Sequence, residues 1–257
     1  MKRSKKHTGF SIIKIVFSIL LLHYGFFANS QNVENSKIID HFSGKVTVTH
    51  NGISLIPSFS LEDPAVIFNL NIAKKNLSFE PELRFALEGK PWSFLFWWRY
   101  KVIKNEKFNL RIGAHPALNF RTIDVISNGV FKQLIESRRF LAGELAPSYT
   151  ISKKVKAGMY YLYSHGFDDS AKNTHFLVIN SLLSNINLTE KIYLSFSPQF
   201  YYLKMDKPDG FYFASFLNIS KQDFPLSVAA IFNKKIKTDI LPEKDLVWNI
   251  SLVYSFR

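Results

Sequence analysis

From residue 53 onward, apolar residues recur at every second position rather than every third or fourth, the period of pleated strands. The last segment shows it most fully. Leu246, Trp248, Ile250, Leu252, Tyr254 and Phe256 share one face, and Val247, Asn249, Ser251, Val253 and Ser255 share the other. The same alternation sets Leu77, Phe79, Pro81, Leu83 and Phe85 against Ser78, Glu80, Glu82, Arg84 and Ala86. It sets Phe108, Leu110 and Ile112 against Asn109, Arg111 and Gly113, and Leu194, Phe196 and Phe200 against Ser195, Ser197 and Gln199. Leu110, Phe196, Trp248 and Ile250 are therefore expected on the apolar exterior, and Asn109, Gln199 and Asn249 on the polar interior. Strands of globular proteins average about 5–6 residues, whereas these runs persist for about ten. At about 3.3 Å per residue and a tilt near 40°, ten residues rise roughly 25 Å, the height of a membrane barrel's apolar band.

The pattern predicts about twelve strands, near residues 53–61, 65–73, 77–88, 91–103, 107–120, 139–151, 154–164, 174–188, 191–205, 209–219, 224–235 and 245–257. Those at 154–164, 174–188 and 209–219 alternate less cleanly than the rest. One set of links is short and mostly basic, such as Lys74-Lys75-Asn76, Lys104-Asn105-Glu106 and Ser152-Lys153. The other set is mostly longer, above all 121–138, 165–173 and 236–244. Short turns opposite longer loops are the asymmetry of a membrane barrel, and an even count puts both termini on the turn side. Pro57, Pro81, Pro116, Pro147 and Pro198 fall inside these strands. A proline removes a ladder donor, so bulges are expected there. Upstream, Val46, Val48 and His50 alternate in one phase and Ile53, Leu55 and Pro57 in the other, with the slip at Asn51-Gly52. A bulge there keeps the strand count even, whereas a tight hairpin makes it odd. Residues 31–50 are left as a periplasmic segment and 51–257 as the barrel. Within the longest loop, Val130, Phe131, Leu134 and Ile135 have helical spacing, which predicts a short helix lying on the rim or folding inward.

The final strand, with an aromatic beside the carboxyl end, resembles the terminal strand of Gram-negative outer-membrane β-barrel proteins. Arg257 after Phe256 departs from a terminal aromatic. The resemblance is one of pattern across residues 51–257. It implies an all-β, antiparallel transmembrane barrel in contact with outer-membrane lipid and lipopolysaccharide, and with the barrel-assembly machinery during insertion.

Residues 1–30 fit that destination. A basic run (Lys2-Arg3-Ser4-Lys5-Lys6), an apolar core (12–22) and the small residues Ala28-Asn29-Ser30 form the three parts of a secretory signal, with cleavage expected before Gln31. The apolar core is shorter than the roughly 20 residues a helical span needs. Composition sharpens the picture further. Phe 25 and Tyr 11 suit strands and interfacial belts. There is no cysteine, which excludes thiolate metal sites and cysteine nucleophiles. The formal charge is +13, and subtracting the five cations of residues 1–30 leaves +8. Most remaining lysines fall in turns, as headgroup-facing residues would. No nucleic-acid module accompanies the charge, so no nucleic-acid partner is expected.

Charged residues on the inward phase are the main candidates for chemistry. Counting depth from the short turns sets Glu80 level with Lys101, and Glu82 level with Arg99, with Arg111 beside them. His115 then faces Glu144 one strand further round, and Arg84 shares the inward phase. These eight residues are expected to line the lumen, as a structural ion network or as a charge-selective constriction. A second, weaker candidate is Ser164-His165 with Asp168. Barrel-fold lipid hydrolases of the outer membrane pair a serine with a histidine, but carry the serine after the histidine in a His-x-Ser-Asn order that is missing here. No metal site or cofactor is implied, since zinc-ligand spacing, phosphate cradles and nucleophile elbows are all missing. The function expected is a narrow pore or a barrel that binds a small solute. The alternatives are a lipid-modifying enzyme and a sealed structural or adhesive barrel.

Overall fold

The computed structural model describes residues 37–127 and 130–257; residues 1–36, with the expected signal and its cleavage point before Gln31, and the Asn128-Gly129 pair lie outside them. Twelve strands follow one another: β1 (His41–Thr49), β2 (Ala65–Lys74), β3 (Leu77–Ala86), β4 (Pro91–Lys104), β5 (Phe108–Ser127), β6 (Val130–Thr150), β7 (Val155–Gly166), β8 (Asn173–Asn187), β9 (Ile192–Met205), β10 (Asp209–Lys221), β11 (Leu226–Thr238) and β12 (Leu246–Phe256). Each pairs antiparallel with its sequence neighbours, and β1 closes on β12, giving a closed barrel. Closure leaves no unpaired edge. The barrel's two ends differ. Short basic turns and the start of β1 and end of β12 lie at one, and the longer links, including residues 50–64, lie at the other.

Alternation settles the faces as the sequence predicts. Trp248 and Ile250 are exposed on the outside, while Gln199 and Asn249 are buried within. The exterior carries many large apolar residues open to the surroundings, among them Trp98, Ile112, Leu141, Ile179, Phe200 and Leu252. Soluble proteins rarely expose so wide an apolar band.

Three local expectations need correction. The first concerns prolines. Pro81, Pro116, Pro147 and Pro198 produce no bulge. Each keeps its pairing with one neighbouring strand, as in Pro81↔Phe96, Leu110↔Pro147, Pro116↔Leu141 and Pro198↔Ser215. On the other side the ladder is interrupted and resumes in the same register: Asn69↔Glu82 then Ile72↔Phe79, and Leu145↔Tyr161 then Ser148↔Gly158. A strand residue directs its N–H to one neighbour only, so a missing donor opens one ladder and leaves the register intact. Irregular register occurs elsewhere, for instance between Leu183 and Ile186.

The second concerns residues 121–138. Among the described residues there is no rim helix; 121–127 and 130–138 extend β5 and β6, with eight ladder pairs from Phe120↔Ser137 to Ser127↔Val130. Their β-branched residues, Thr122, Ile123, Val125, Ile126, Val130 and Ile135, favour strand over helix.

The third concerns the first strand. It is His41–Thr49, within the segment expected to precede the barrel. Residues 53–61, expected as a strand, fold into the lumen with a 3-10 turn at Pro57–Phe59. Pro57 opens that turn, where its missing donor costs nothing. The slip at Asn51-Gly52 is thus neither bulge nor hairpin, but the point where the chain leaves the wall. Gly52 N–H donates to Asp63 O (2.8 Å), and Gly52 O accepts from Leu61 N–H (2.8 Å) and Glu62 N–H (3.0 Å). A β-carbon on Gly52 would come within 3.2 Å of Asp63 O and the Trp92 ring. Glycine lets the neck of the infolded segment close.

Candidate functional site

The infolded segment is fastened to the wall by its backbone carbonyls. Trp92 Nε1–H donates to Phe59 O (2.8 Å), Tyr201 O–H to Leu55 O (3.0 Å), and Asn249 Nδ2–H to Asn51 O (3.0 Å). Phe59 packs edge-on against Phe140, ring centroids 5.0 Å apart. Leu55 and Ile56 lie against a buried apolar cluster that includes Leu162, Phe176, Val178, Leu203 and Tyr212. Trp92 and Leu203 are 2% and 0% exposed. The segment therefore fills part of the loop-side half of the lumen, and polar carbonyls that burial would otherwise penalise are satisfied.

Against the segment lies a partly open chamber of about 370 Å³. Ile56, Phe59, Leu95, Trp97, Phe140 and Phe176 supply apolar surface, and Ser93, His115, Asn119 and Ser164 supply neutral polar groups. Glu82, Arg84 and Arg99 border it.

At the level of Arg99 stands an ion cluster. The Glu144 side chain is fully buried and accepts from Arg99 Nε (2.9 Å), Arg99 Nη2 (3.2 Å) and Arg111 Nε (2.9 Å). Arg99 also pairs with Glu80, which accepts a further hydrogen bond from Ser78 Oγ (2.6 Å). Arg84 pairs with Glu82, and Asn69 Nδ2–H donates to Glu82 at 2.6 Å. Arg99 lies over the Trp97 ring at 4.2 Å and Arg84 over Trp92 at 4.9 Å. Gly113 faces Glu144 across the ladder. A β-carbon there would sit 3.0 Å from both Arg99 Cγ and Glu144 Cγ, so the pair owes its closeness to glycine.

Seven of the eight inward candidates thus gather near one level, with partners other than those depth counting gives. Glu80 lies opposite Trp97, not level with Lys101, and Arg99 binds Glu80 and Glu144, not Glu82. Register here is set by the 87–90 link and the strand tilt, which counting from the opposite turns ignores. His115 stacks closely on Trp97 (3.9 Å between centroids), and its Nδ1 lies 3.3 Å from Pro116 O. It pairs with Ala142 in the ladder, one step from Glu144. Lys101 stands apart, exposed beside Arg111.

Ser164 and His165 are not brought together. Ser164 is buried on the inward face, and the alternation of β7 turns His165 outward against Phe167, 5.1 Å between ring centroids. Asp168 is taken by Arg139, accepting from its backbone N–H (2.7 Å) and its guanidinium (2.7 and 3.1 Å). Those hydrogen bonds hold the Asp168 carboxyl down to about 2. Sequence reasoning passed over the chamber's aromatic wall and its roof. The available signal was Trp97 in the phase of Arg99, and Tyr201 in the phase of Gln199, on a face otherwise polar.

No protein-family profile matches the sequence, and neither does any curated relative. Solved structures of similar architecture include outer-membrane-expressed OmpT of Vibrio cholerae, 8% identical, with 84% of this chain and 97% of that chain covered at a TM-score of 0.42. OccAB3 of Acinetobacter baumannii is 10% identical over 82% of this chain and 59% of that chain, at 0.40. A porin is 9% identical over 84% and 99%, at 0.35. The twelve-strand closure stands on the strand pairing itself.

Proposed function

We propose that this chain is an outer-membrane barrel that holds a small solute in an internal chamber, closed at rest on its loop side by residues 51–63. The observation carrying this reading is the infolded segment, fastened at three carbonyls above a 370 Å³ space. The apolar exterior supports insertion in a bilayer. So do the turns, where Lys74, Lys75, Lys104, Lys107, Lys153, Lys154, Lys191 and Lys221 outnumber Glu106, Glu190 and Asp223, a balance suited to anionic headgroups. Export through cleavage before Gln31, insertion by the assembly machinery and contact with lipopolysaccharide belong to the same reading. Mature protein starting near Gln31 should fractionate with outer membrane; recovery as soluble periplasmic protein would end it.

Planar-bilayer conductance tests the closure. The wild-type barrel should conduct little, and a variant with residues 53–61 replaced by a short Gly-Ser link should open stable channels. Equal conductance of the two overturns the closed-chamber reading.

A further inference from the structure

We infer that the chamber takes a small, uncharged, mainly apolar molecule, aromatic in character, that carries one hydroxyl or carbonyl group bound at Ser93 and Asn119. This rests on the reading of the lumen as a closed binding chamber and goes on to name what the chamber selects.

Size comes first. The chamber's 370 Å³ is at the small end of the roughly 300–1,000 Å³ found for ligand sites, which suits a single-ring or two-ring molecule. The character of the wall comes next. Phe59, Trp97, Phe140, Tyr160, Phe176 and Phe216 all line it. Rings arranged around a cavity pack a flat apolar guest edge to face.

Charge then excludes most alternatives. Glu80, Glu82 and Glu144 are each bound to at least one of Arg84, Arg99 and Arg111, so three acids meet three guanidinium groups. An ion entering above this cluster gives up its hydration and finds no free counter-charge without breaking an existing pair. A neutral guest meets no such penalty.

The polar groups of the wall come last. Ser93 is 6% exposed and lines the chamber, and its Oγ has no hydrogen-bond partner among the described residues. Asn119, 7% exposed, stands directly opposite Ser93 in the β4–β5 ladder and lines the same space. A buried hydroxyl without a partner is costly, and a guest that completes it is favoured over the same shape without a polar group. A sugar fails for the converse reason, since most of its hydroxyls would face aromatic wall.

The test uses the purified full barrel in one detergent, so that partitioning into micelles cancels between variants. Binding of 4-ethylphenol, ethylbenzene, 4-ethylbenzoate and glucose is followed by quenching of tryptophan fluorescence. We expect saturable binding of 4-ethylphenol, weaker binding of ethylbenzene, and none of 4-ethylbenzoate or glucose. Ser93→Ala should weaken 4-ethylphenol about tenfold, the worth of one hydrogen bond, and change ethylbenzene less than twofold. Ala117→Leu, which fills the chamber from its wall, should abolish both, with folding checked by heat-modifiable gel mobility. Unchanged 4-ethylphenol affinity in Ser93→Ala, saturable binding surviving in folded Ala117→Leu, or tighter binding of 4-ethylbenzoate or glucose would each overturn the assignment. Conductance reports on the closure separately, so a closed barrel with the wrong ligand preference fails only this inference.

Discussion

On the loop side of the lumen, Trp92, Tyr201, Leu203 and Ala214 are at most 2% exposed around the infolded segment. On the turn side, His41, Ser43, Lys45, Asn69 and Asn71, in the same inward phase, surround an open space of about 1010 Å³. One barrel wall thus encloses a dry half and a wet half, with the Arg99–Glu144 cluster between them. The strands are continuous through both, so the difference comes from side chains and from one segment of chain. Apolar inward residues make a half that water leaves only if something fills it. Leu55, Ile56 and Phe59 do so. Polar inward residues need no such cover, because water satisfies them. The comparison assigns stability to the loop-side half, packed around the segment, and hydration to the turn-side half.

The largest effect should come from breaking the dry half. Trp92→Ala removes a fully buried ring and the donor to Phe59 O. Truncations of this kind cost about 3–5 kcal/mol in packed cores, measured here as a drop in urea midpoint in detergent. The same variant should raise conductance, because the segment loses its anchor. A midpoint within experimental error of wild type would mean the segment contributes little.

The boundary comes next. Arg99→Ala leaves Glu144 buried with Arg111 as its remaining guanidinium partner and strips Glu80 of its cation. Breaking a buried pair costs about 3–5 kcal/mol, lowered here toward about 2 by the water on the turn side. Lys101→Ala, at an exposed position, should cost under about 1 kcal/mol. Equal costs would place the cluster outside the dry half.

Position along a single strand sharpens the contrast. Asn249 and Ser255 share the inward face of β12, but Asn249 is 4% exposed and donates to Asn51 O, whereas Ser255 borders the open space. Asn249→Ala should cost about 1–2 kcal/mol and Ser255→Ala less than about 0.5. On the outer face, Ile250→Arg should cost about 2–4 kcal/mol in a bilayer. Tolerance of arginine at Ile250 would show that this face does not meet lipid.

These halves also explain what could be read from the sequence. The strands at 77–86, 108–119 and 246–256 were legible because their inward positions carry mostly polar residues and alternation is clean. Those at 154–164, 174–188 and 209–219 blurred because Leu162, Phe176, Val178 and Tyr212 point inward yet are apolar. Their poor alternation was the imprint of the segment they cover. That segment misled for the same reason. Ile53, Leu55, Phe59 and Leu61 share one phase and Ser54, Ser58 and Ser60 the other, as in a strand, and only tertiary contact distinguishes a wall strand from a chain packed inside. The ion cluster was legible as a set of inward charges. Its partners were not, because tilt and register between β3, β4 and β5 are properties of the closed sheet.

The smallest effect is expected above the rim, where neither half is involved. Asp168 is tied to Arg139, and Lys172 Nζ donates to Asp168 O (2.9 Å), so the 167–172 link is pinned by surface contacts. The Asp168 carboxyl is held from an ordinary 3.8 down to about 2 by the Arg139 hydrogen bonds. A depressed acid contributes stability that is fully present above its unfolded value and is lost as pH falls toward the folded one. The contribution should therefore be nearly complete at pH 5, decline below pH 4 and be lost as pH falls through about 2. Arg139 is largely exposed, with 66% of its side-chain surface open, so salt screens the pair and global stability should hardly respond. Amide exchange of residues 167–172 is the fitting measurement. Arg139→Gln should speed it at pH 5, and the difference should shrink as pH falls to about 2, where half of the wild-type pairs are already broken. Equal exchange in the two proteins at pH 5 would show that the link is held by its backbone alone.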